Sequence, residues 1–208
     1  MFSGLVAEIG TVKAFRRRGT SARIEISCPS TAGGTSIGDS IAVNGVCLTA
    51  VKVSPPVLAF DVVGNTLSGS NLRRVISGEP VNLEKALKMG DAIGGHMVTG
   101  HIDGEREVKS SRVTQKGWAL DISLLEGDAR YLISKGSVAV DGVSLTVAEL
   151  TQEYFRVYVI PHTLGNTTLD AKRAGDPVNV EFDMAAKFAA KNAPGGVTMD
   201  FLREKGFV

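Results

Sequence analysis

Four side chains recur in one frame and have the chemistry of a reaction centre: Cys47 and Thr49 on one stretch, Ser144 and Thr146 on another. A thiol can add to an electrophilic carbon, and a hydroxyl can hold or pass a proton when an acceptor stands beside it. The chain has 3 histidines, His96, His101 and His162, and these supply nitrogens that titrate near neutral pH. A nucleophilic pair of Cys47 and His101 would have to meet across an interface, because the two lie in different halves of the sequence. His96 and His101 make a poor metal pair. Their spacing does not put them on one helical face, and no set of cysteines or carboxylates completes a shell. No phosphate-binding loop, dinucleotide glycine motif or nucleic-acid motif is present.

The reactive residues sit on two copies of one element, Ile41 to Val51 and Val138 to Ala148. Each copy alternates apolar and small or polar residues around Asn44-Gly45 or Asp141-Gly142, dipeptides that accept the positive φ of a two-residue hairpin turn. That register sets Val43 opposite Val46 and Ile41 opposite Leu48, giving an apolar face for a core. Val138, Val140, Val143 and Leu145 do the same in the second copy. The other face carries Ala42, Cys47 and Thr49, or Ala139, Ser144 and Thr146. A solvated sheet face usually carries long charged side chains; these short ones leave room for something to lie against the strand.

Around the hairpins the whole plan repeats. Met1-Phe2-Ser3-Gly4-Leu5-Val6 returns as Met97-Val98-Thr99-Gly100-His101-Ile102, and the apolar run Phe60 to Leu67 returns as Val157 to Leu164, with breaks at Gly64 and Pro161. Gly78-Glu79-Pro80-Val81-Asn82-Leu83-Glu84 matches Gly175-Asp176-Pro177-Val178-Asn179-Val180-Glu181 as a turn into a closing strand. Within this likeness Leu5 becomes His101, Gly38 becomes Lys135, Cys47 becomes Ser144 and Asn65 becomes His162. The halves share a binding plan and differ in reactive groups, which points to two equivalent pockets with different jobs in one reaction.

Short apolar runs that end at Gly or Pro, with 24 glycines, suit an all-β chain with many turns. Six strands per half are most economically closed into a barrel, because closure removes exposed edges. The expected fold is two tandem six-stranded Greek-key barrels with short helices, over residues 1–96 and 97–183, and a helical tail over 184–208. In the tail, Met184 to Lys191 is Ala-rich with Phe188 one turn after Met184, and Thr198 can cap a last helix carrying Phe201 and Leu202 after the Pro194-Gly195-Gly196 break. Such a helix either packs on another subunit or folds back on its own barrel.

With 23 basic and 22 acidic residues the net charge is +1, which calls for neither nucleic acid nor an anionic membrane. No apolar run approaches a membrane span, and the first residues do not read as a secretion signal. Two cysteines outside any Cys-x-x-Cys fit a reducing compartment, so a cytoplasmic location is expected.

Met1-Phe2-Ser3-Gly4, Asn44-Gly45-Val46-Cys47-Leu48-Thr49, Gly94-Gly95-His96-Met97-Val98-Thr99-Gly100-His101, Asp141-Gly142-Val143-Ser144-Leu145-Thr146 and Ile160-Pro161-His162-Thr163-Leu164 together resemble the alpha-type riboflavin synthase family. The chain departs from that pattern at Asn65, where a Glu is more usual, and in Ser68-Gly69-Ser70. The resemblance implies a cofactor-free dismutation of two 6,7-dimethyl-8-ribityllumazine molecules, giving riboflavin and 5-amino-6-(D-ribitylamino)uracil. It also implies a homotrimer joined through the C-terminal helices, with each active site between the first barrel of one subunit and the second barrel of a neighbour. By the same resemblance one lumazine lies against Gly4, Leu5, Val6, Cys47, Leu48, Thr49, Asp61, Val62, Val63, Gly64, Asn65 and Thr66. The other lies against Gly100, His101, Ile102, Lys135, Ser144, Leu145, Thr146, Val159, Ile160, Pro161, His162, Thr163 and Leu164. Cys47 and His101, with Ser144 and Thr146, stand nearest the chemistry, and Ser40 and Asp183 support it. The alternative is a non-catalytic lumazine- or flavin-binding protein of the same fold; a flavin-dependent oxidoreductase would need a nucleotide-binding domain for which the chain has no room.

Overall fold

The hairpins form as their sequences require. Asn44 and Gly45 take φ of 45° and 79°, and Asp141 and Gly142 repeat both values. Val43 pairs with Val46 and Ile41 with Leu48, while Val140 pairs with Val143 and Val138 with Leu145. All eight of these side chains are buried in the two main apolar clusters.

The structure is a computed structural model and describes residues 1–192 and Arg203. In the first half β1 (Glu8–Arg18), β2 (Ser21–Ser27), β3 (Ser40–Val43), β4 (Val46–Ser54), β5 (Val57–Val62) and β6 (Pro80–Lys85) close in the order β1-β2-β5-β4-β3-β6. In the second half β7 (Gly104–Thr114), β8 (Gly117–Ser123), β9 (Ser137–Val140), β10 (Val143–Leu150), β11 (Tyr154–Val159) and β12 (Pro177–Phe182) close in the same way, β7-β8-β11-β10-β9-β12. All pairings are antiparallel. Each ring satisfies the backbone groups that an open sheet of short strands would leave at its edges.

Short helices begin where the strands were expected to break, α2 (Gly64–Ser68) after β5 and α3 (Pro161–Gly165) after β11, and a further one, α1 (Pro29–Ala32), precedes β3. After β12 comes α4 (Met184–Asn192), tied down by Lys187, whose Nζ lies 2.6 Å from Asp103 Oδ2. Phe188 on α4 is 71% exposed. The Pro194-Gly195-Gly196 break and the helix from Thr198 with Phe201 and Leu202 lie outside the described residues. No helix among the described residues is long and apolar enough to cross a membrane.

The two barrels meet through their hairpin tips. Asn44 N–H donates to Asn82 O and Asp141 N–H to Asn179 O, both at 2.9 Å. Asn82 N–H donates to Asn44 Oδ1 and Asn179 N–H to Asp141 Oδ1, both at 2.8 Å. Across the junction, Asn82 Nδ2 donates to Asp141 O at 2.9 Å and Asn179 Nδ2 to Asn44 O at 2.8 Å. Every amide in this buried set has a partner, so the junction has one geometry rather than a sliding apolar contact. Beside it Phe2, Ala42, Val98 and Ala139 form a small apolar cluster of their own. Phe2 and Val98 exchange backbone hydrogen bonds of 2.7 and 3.1 Å.

Candidate active site

What lies against the small-residue faces is the chain itself, crossing from one barrel to the other. Glu84, at the end of β6 in the first barrel, accepts from Ser3 N–H at 2.6 Å, Ser3 Oγ at 2.8 Å and Gly4 N–H at 3.0 Å. Gly4 O then accepts Ser144 N–H on β10 at 2.8 Å. The mirror arrangement uses Glu181 on β12, which accepts from Thr99 N–H at 2.6 Å, Thr99 Oγ1 at 2.7 Å and Gly100 N–H at 2.9 Å. Gly100 O accepts Cys47 N–H on β4 at 2.9 Å.

Both crossings need glycine. A Cβ on Gly4 would stand 2.6 Å from Ser144 Cβ, and one on Gly100 would stand 2.5 Å from Cys47 Cβ. Their φ values of +76° and +82° also disfavour other residues. Farther along, Ile102 packs against the first core and Val6 against the second.

The grouping of these segments therefore differs from the one expected from the sequence. Gly100, His101 and Ile102 belong with Cys47 and Thr66; Gly4 and Val6 belong with Ser144 and the second barrel. The likeness of the halves places each segment correctly before its own barrel, but it carries no information about which hairpin the segment then crosses.

The first pocket has a volume of about 280 Å³ and is walled by Val46, Cys47, Asn65, Thr66, Gly69, Ser70, Gly100, His101 and Ile102. It opens beside a second hollow of about 550 Å³ along Thr20, Val63, Gly64, Asn65 and Ser68, sharing Asn65. A thiol, an imidazole and hydroxyls thus line one cleft made by both halves of the chain. On β5 next to it, Asp61 Oδ1 and Oδ2 accept from Arg23 Nε and Nη2, both at 2.7 Å. These bonds hold the Asp61 carboxyl below the usual range. Ser70 Oγ donates to Thr66 O, and Thr167 Oγ donates to Thr163 O, each at 2.7 Å, so the same turn follows α2 and α3.

Around Ser144 the surroundings are different. The linker between the halves lies on it: His96 N–H donates to Ser3 O at 3.1 Å, and a Cβ on Gly95 would reach 2.7 Å from Ser144 Cβ. His96 Nδ1 is 2.7 Å from Ser144 Oγ. Burial pushes the His96 imidazole below its ordinary pKa, with Asp183 and Glu181 pulling the other way. The ring is therefore held neutral near pH 7. Its Nε2 is buried with no protein partner.

Of the other expected site residues, Leu48, Val62, Leu145 and Val159 point into the barrel cores. Strand alternation turns their neighbours outward and leaves only their backbone to face a ligand. Thr49 and Thr146 are exposed on the small-residue faces. Leu5, Val63 and Ile160 are exposed, and Pro161 and His162 stand exposed on α3 while Thr163 and Leu164 are half-buried. Ser40 pairs with Thr49 and lines a separate hollow with Asp39, Lys85, Lys88 and Asp91. Lys135 occupies a turn before β9 with φ 68°, where its equivalent Gly38 has φ 97°. Asp183 Oδ1 accepts Ala185 N–H at 2.9 Å at the start of α4. Glu84, Glu181, Ser70 and the hydrogen-bonding role of His96 were not foreseen. The recurrence of Asn-Leu-Glu and Asn-Val-Glu at the ends of the two closing strands was the available cue for the carboxylates.

Comparison with known proteins agrees with this plan. The lumazine binding domain family matches residues 3–86 and 99–183. Riboflavin synthase of Actinobacillus pleuropneumoniae is 36% identical over 100% of both chains. That of Chlamydia pneumoniae is 41% identical over 90% of this chain and 92% of its own. Among solved structures, LumP complexed with riboflavin superposes with a TM-score of 0.80 at 26% identity, covering 88% of this chain and 99% of that one. LumP complexed with 6,7-dimethyl-8-(1'-D-ribityl) lumazine gives a TM-score of 0.77 at 27% identity, covering 87% and 98%.

Proposed function

The chain belongs to the riboflavin synthase family, and we propose that it converts two molecules of 6,7-dimethyl-8-ribityllumazine into riboflavin and 5-amino-6-(D-ribitylamino)uracil. One lumazine gives a four-carbon unit to the other. The observation that carries this reading is the pair of related crossings, each laying a glycine of one half against the hairpin of the other barrel, with a thiol beneath one and a hydroxyl beneath the other.

The chemistry asks for positioning more than for a strong base. The C7 methyl of the lumazine is acidic because its carbanion is delocalised into the ring, and two rings held face to face react as if at very high concentration. Cys47 and His101 in the first cleft, and Ser144 in the second, are the groups placed to add at C7 or to move the methyl proton. The exposed Asp61, fixed by Arg23, is placed to meet a ribityl hydroxyl. Met184 and Phe188, exposed on α4, favour a homotrimer in which the first cleft of one subunit faces the second of a neighbour. The free thiols Cys28 and Cys47 favour the cytoplasm.

The test adds 6,7-dimethyl-8-ribityllumazine to the protein and follows riboflavin absorbance over many turnovers. Riboflavin is expected to form at half the rate of lumazine loss. Tight binding without product would make the chain a carrier of the LumP kind and overturn the enzymatic reading.

A further inference from the structure

We infer that His96, supplied by the linker between the barrels, is a positioning residue for Ser144, so that the serine crossing works through a histidine–serine pair. The inference rests on the lumazine dismutation proposed above.

The geometry comes first. His96 Nδ1 is 2.7 Å from Ser144 Oγ, and the same linker is fixed by the His96 N–H bond to Ser3 O at 3.1 Å. Ser144 is in turn fixed by its own N–H bond to Gly4 O at 2.8 Å. Ser3 and Gly4 are clamped by Glu84. The imidazole, the hydroxyl and the crossing segment thus form one hydrogen-bonded unit. A serine side chain on an exposed strand face samples several rotamers; the imidazole selects one. Whichever ring nitrogen carries the proton, Oγ spends one hydrogen-bonding function on His96 and presents the other to whatever lies on β10.

This device has no equivalent at Cys47. The imidazole comes from residues 87–98, which lie between the two segments that match the family, 3–86 and 99–183. In the first cleft Gly100 covers the strand, and His101 stands exposed on the cleft wall. The buried Nε2 of His96, with no protein partner, is a second mark that the ring is arranged for something other than packing, since an unpaired buried nitrogen costs stability. The charged groups acting on the ring are Asp183 at the start of α4 and Glu181 on β12, both of which oppose the effect of burial.

The experiment compares riboflavin formation by the full chain with His96→Ala, His96→Asn, Ser144→Ala and the double variant His96→Ala/Ser144→Ala. His96→Ala should lower kcat by about ten- to a hundred-fold with little change in KM, the cost of a misplaced catalytic group. His96→Asn, which keeps a side-chain amide near the place of Nδ1, should recover most of that loss and remove an acid limb that the wild type is expected to show below the ordinary imidazole range. The double variant should be no slower than Ser144→Ala, because one residue acts through the other. Losses that multiply in the double variant, or a His96→Asn variant as slow as His96→Ala, would overturn the inference. If the wild type makes no riboflavin, the dismutation reading falls, and the pair is judged on its own by nitrogen NMR of the imidazole. The His96 ring signals should move in Ser144→Ala, and unmoved signals would overturn the pair.

Discussion

The two barrels have one topology and two tempers. In the first, the tip residue is Asn44, and the residue after the 3-10 turn Asn71–Arg74 is Val75, buried in the core. In the second, the tip is Asp141, fully buried, and the equivalent of Val75 is Lys172, whose Nζ lies 2.9 Å from Asp141 Oδ2. The first barrel thus closes its side of the junction with an amide and a methyl-bearing chain, the second with a buried ion pair. Their small-residue faces differ in the same spirit: Cys47 stands in an open pocket, whereas Ser144 is covered by a linker and hydrogen-bonded to His96. After duplication the backbone plan was kept where it holds the halves together. The side chains diverged where one half must differ in charge or reactivity.

Replacing Phe2 should do most to abolish the comparison, because Phe2 holds the crossing segment of the second cleft and fills the cluster between the barrels at 0% exposure. Phe2→Ala should cost about 3–5 kcal/mol in urea unfolding and remove riboflavin formation. A variant of wild-type stability would mean that the crossing segment holds without it. Next in size is the asymmetric ion pair. Lys172→Val should destabilise by about 3–5 kcal/mol, because it strands a buried carboxylate. Adding Asp141→Asn, which copies the first barrel, should return the midpoint to within about 1 kcal/mol of wild type. A double variant as unstable as the single one would show that the two halves of the junction are not interchangeable.

A third test sharpens the crossing. Glu181→Gln removes charge-assisted acceptance worth about 1.5–3 kcal/mol, and it should raise the reactivity of Cys47 toward a thiol reagent although Glu181 belongs to the other barrel. Glu84→Gln should leave Cys47 unchanged and loosen Ser144 instead. Equal effects from both variants would remove the distinction.

The smallest expected effect is a pH dependence confined to the second cleft. The folded pKa of His96 lies below its unfolded value, so on acidification the unfolded chain takes up the proton first. The stability that the neutral ring contributes is present above the ordinary imidazole range and is lost as pH falls toward the depressed value, at no more than about 1.4 kcal/mol per pH unit. Urea midpoints of wild type and His96→Asn between about pH 7.5 and 5.5 should diverge in that direction. Parallel curves would mean that the ring is not held neutral.

Much of this was legible in the chain. Asn44-Gly45 and Asp141-Gly142 fixed the hairpin turns, alternation fixed which residues enter the cores, and the repeat fixed that both barrels close in the same order. Lys135 shows what such reading leaves out: it and Gly38 both occupy a left-handed turn, and their backbone N–H groups donate to Val147 O and Ala50 O respectively. Ser40, named through the family resemblance as a supporting group, lines a hollow apart from the thiol.

The sequence by itself determined the strands, their register, the duplication and the identities of the candidate reactive groups, because turn chemistry and a two-residue period are local properties of the chain. Only the tertiary structure decided that residues 97–102 belong to the thiol cleft, that residues 2–6 belong to the serine cleft, and that a linker histidine completes the latter. Those segments have no periodicity of their own. Their course is set by two buried carboxylates and two glycine contacts between residues far apart in the chain, and only the fold brings such groups together.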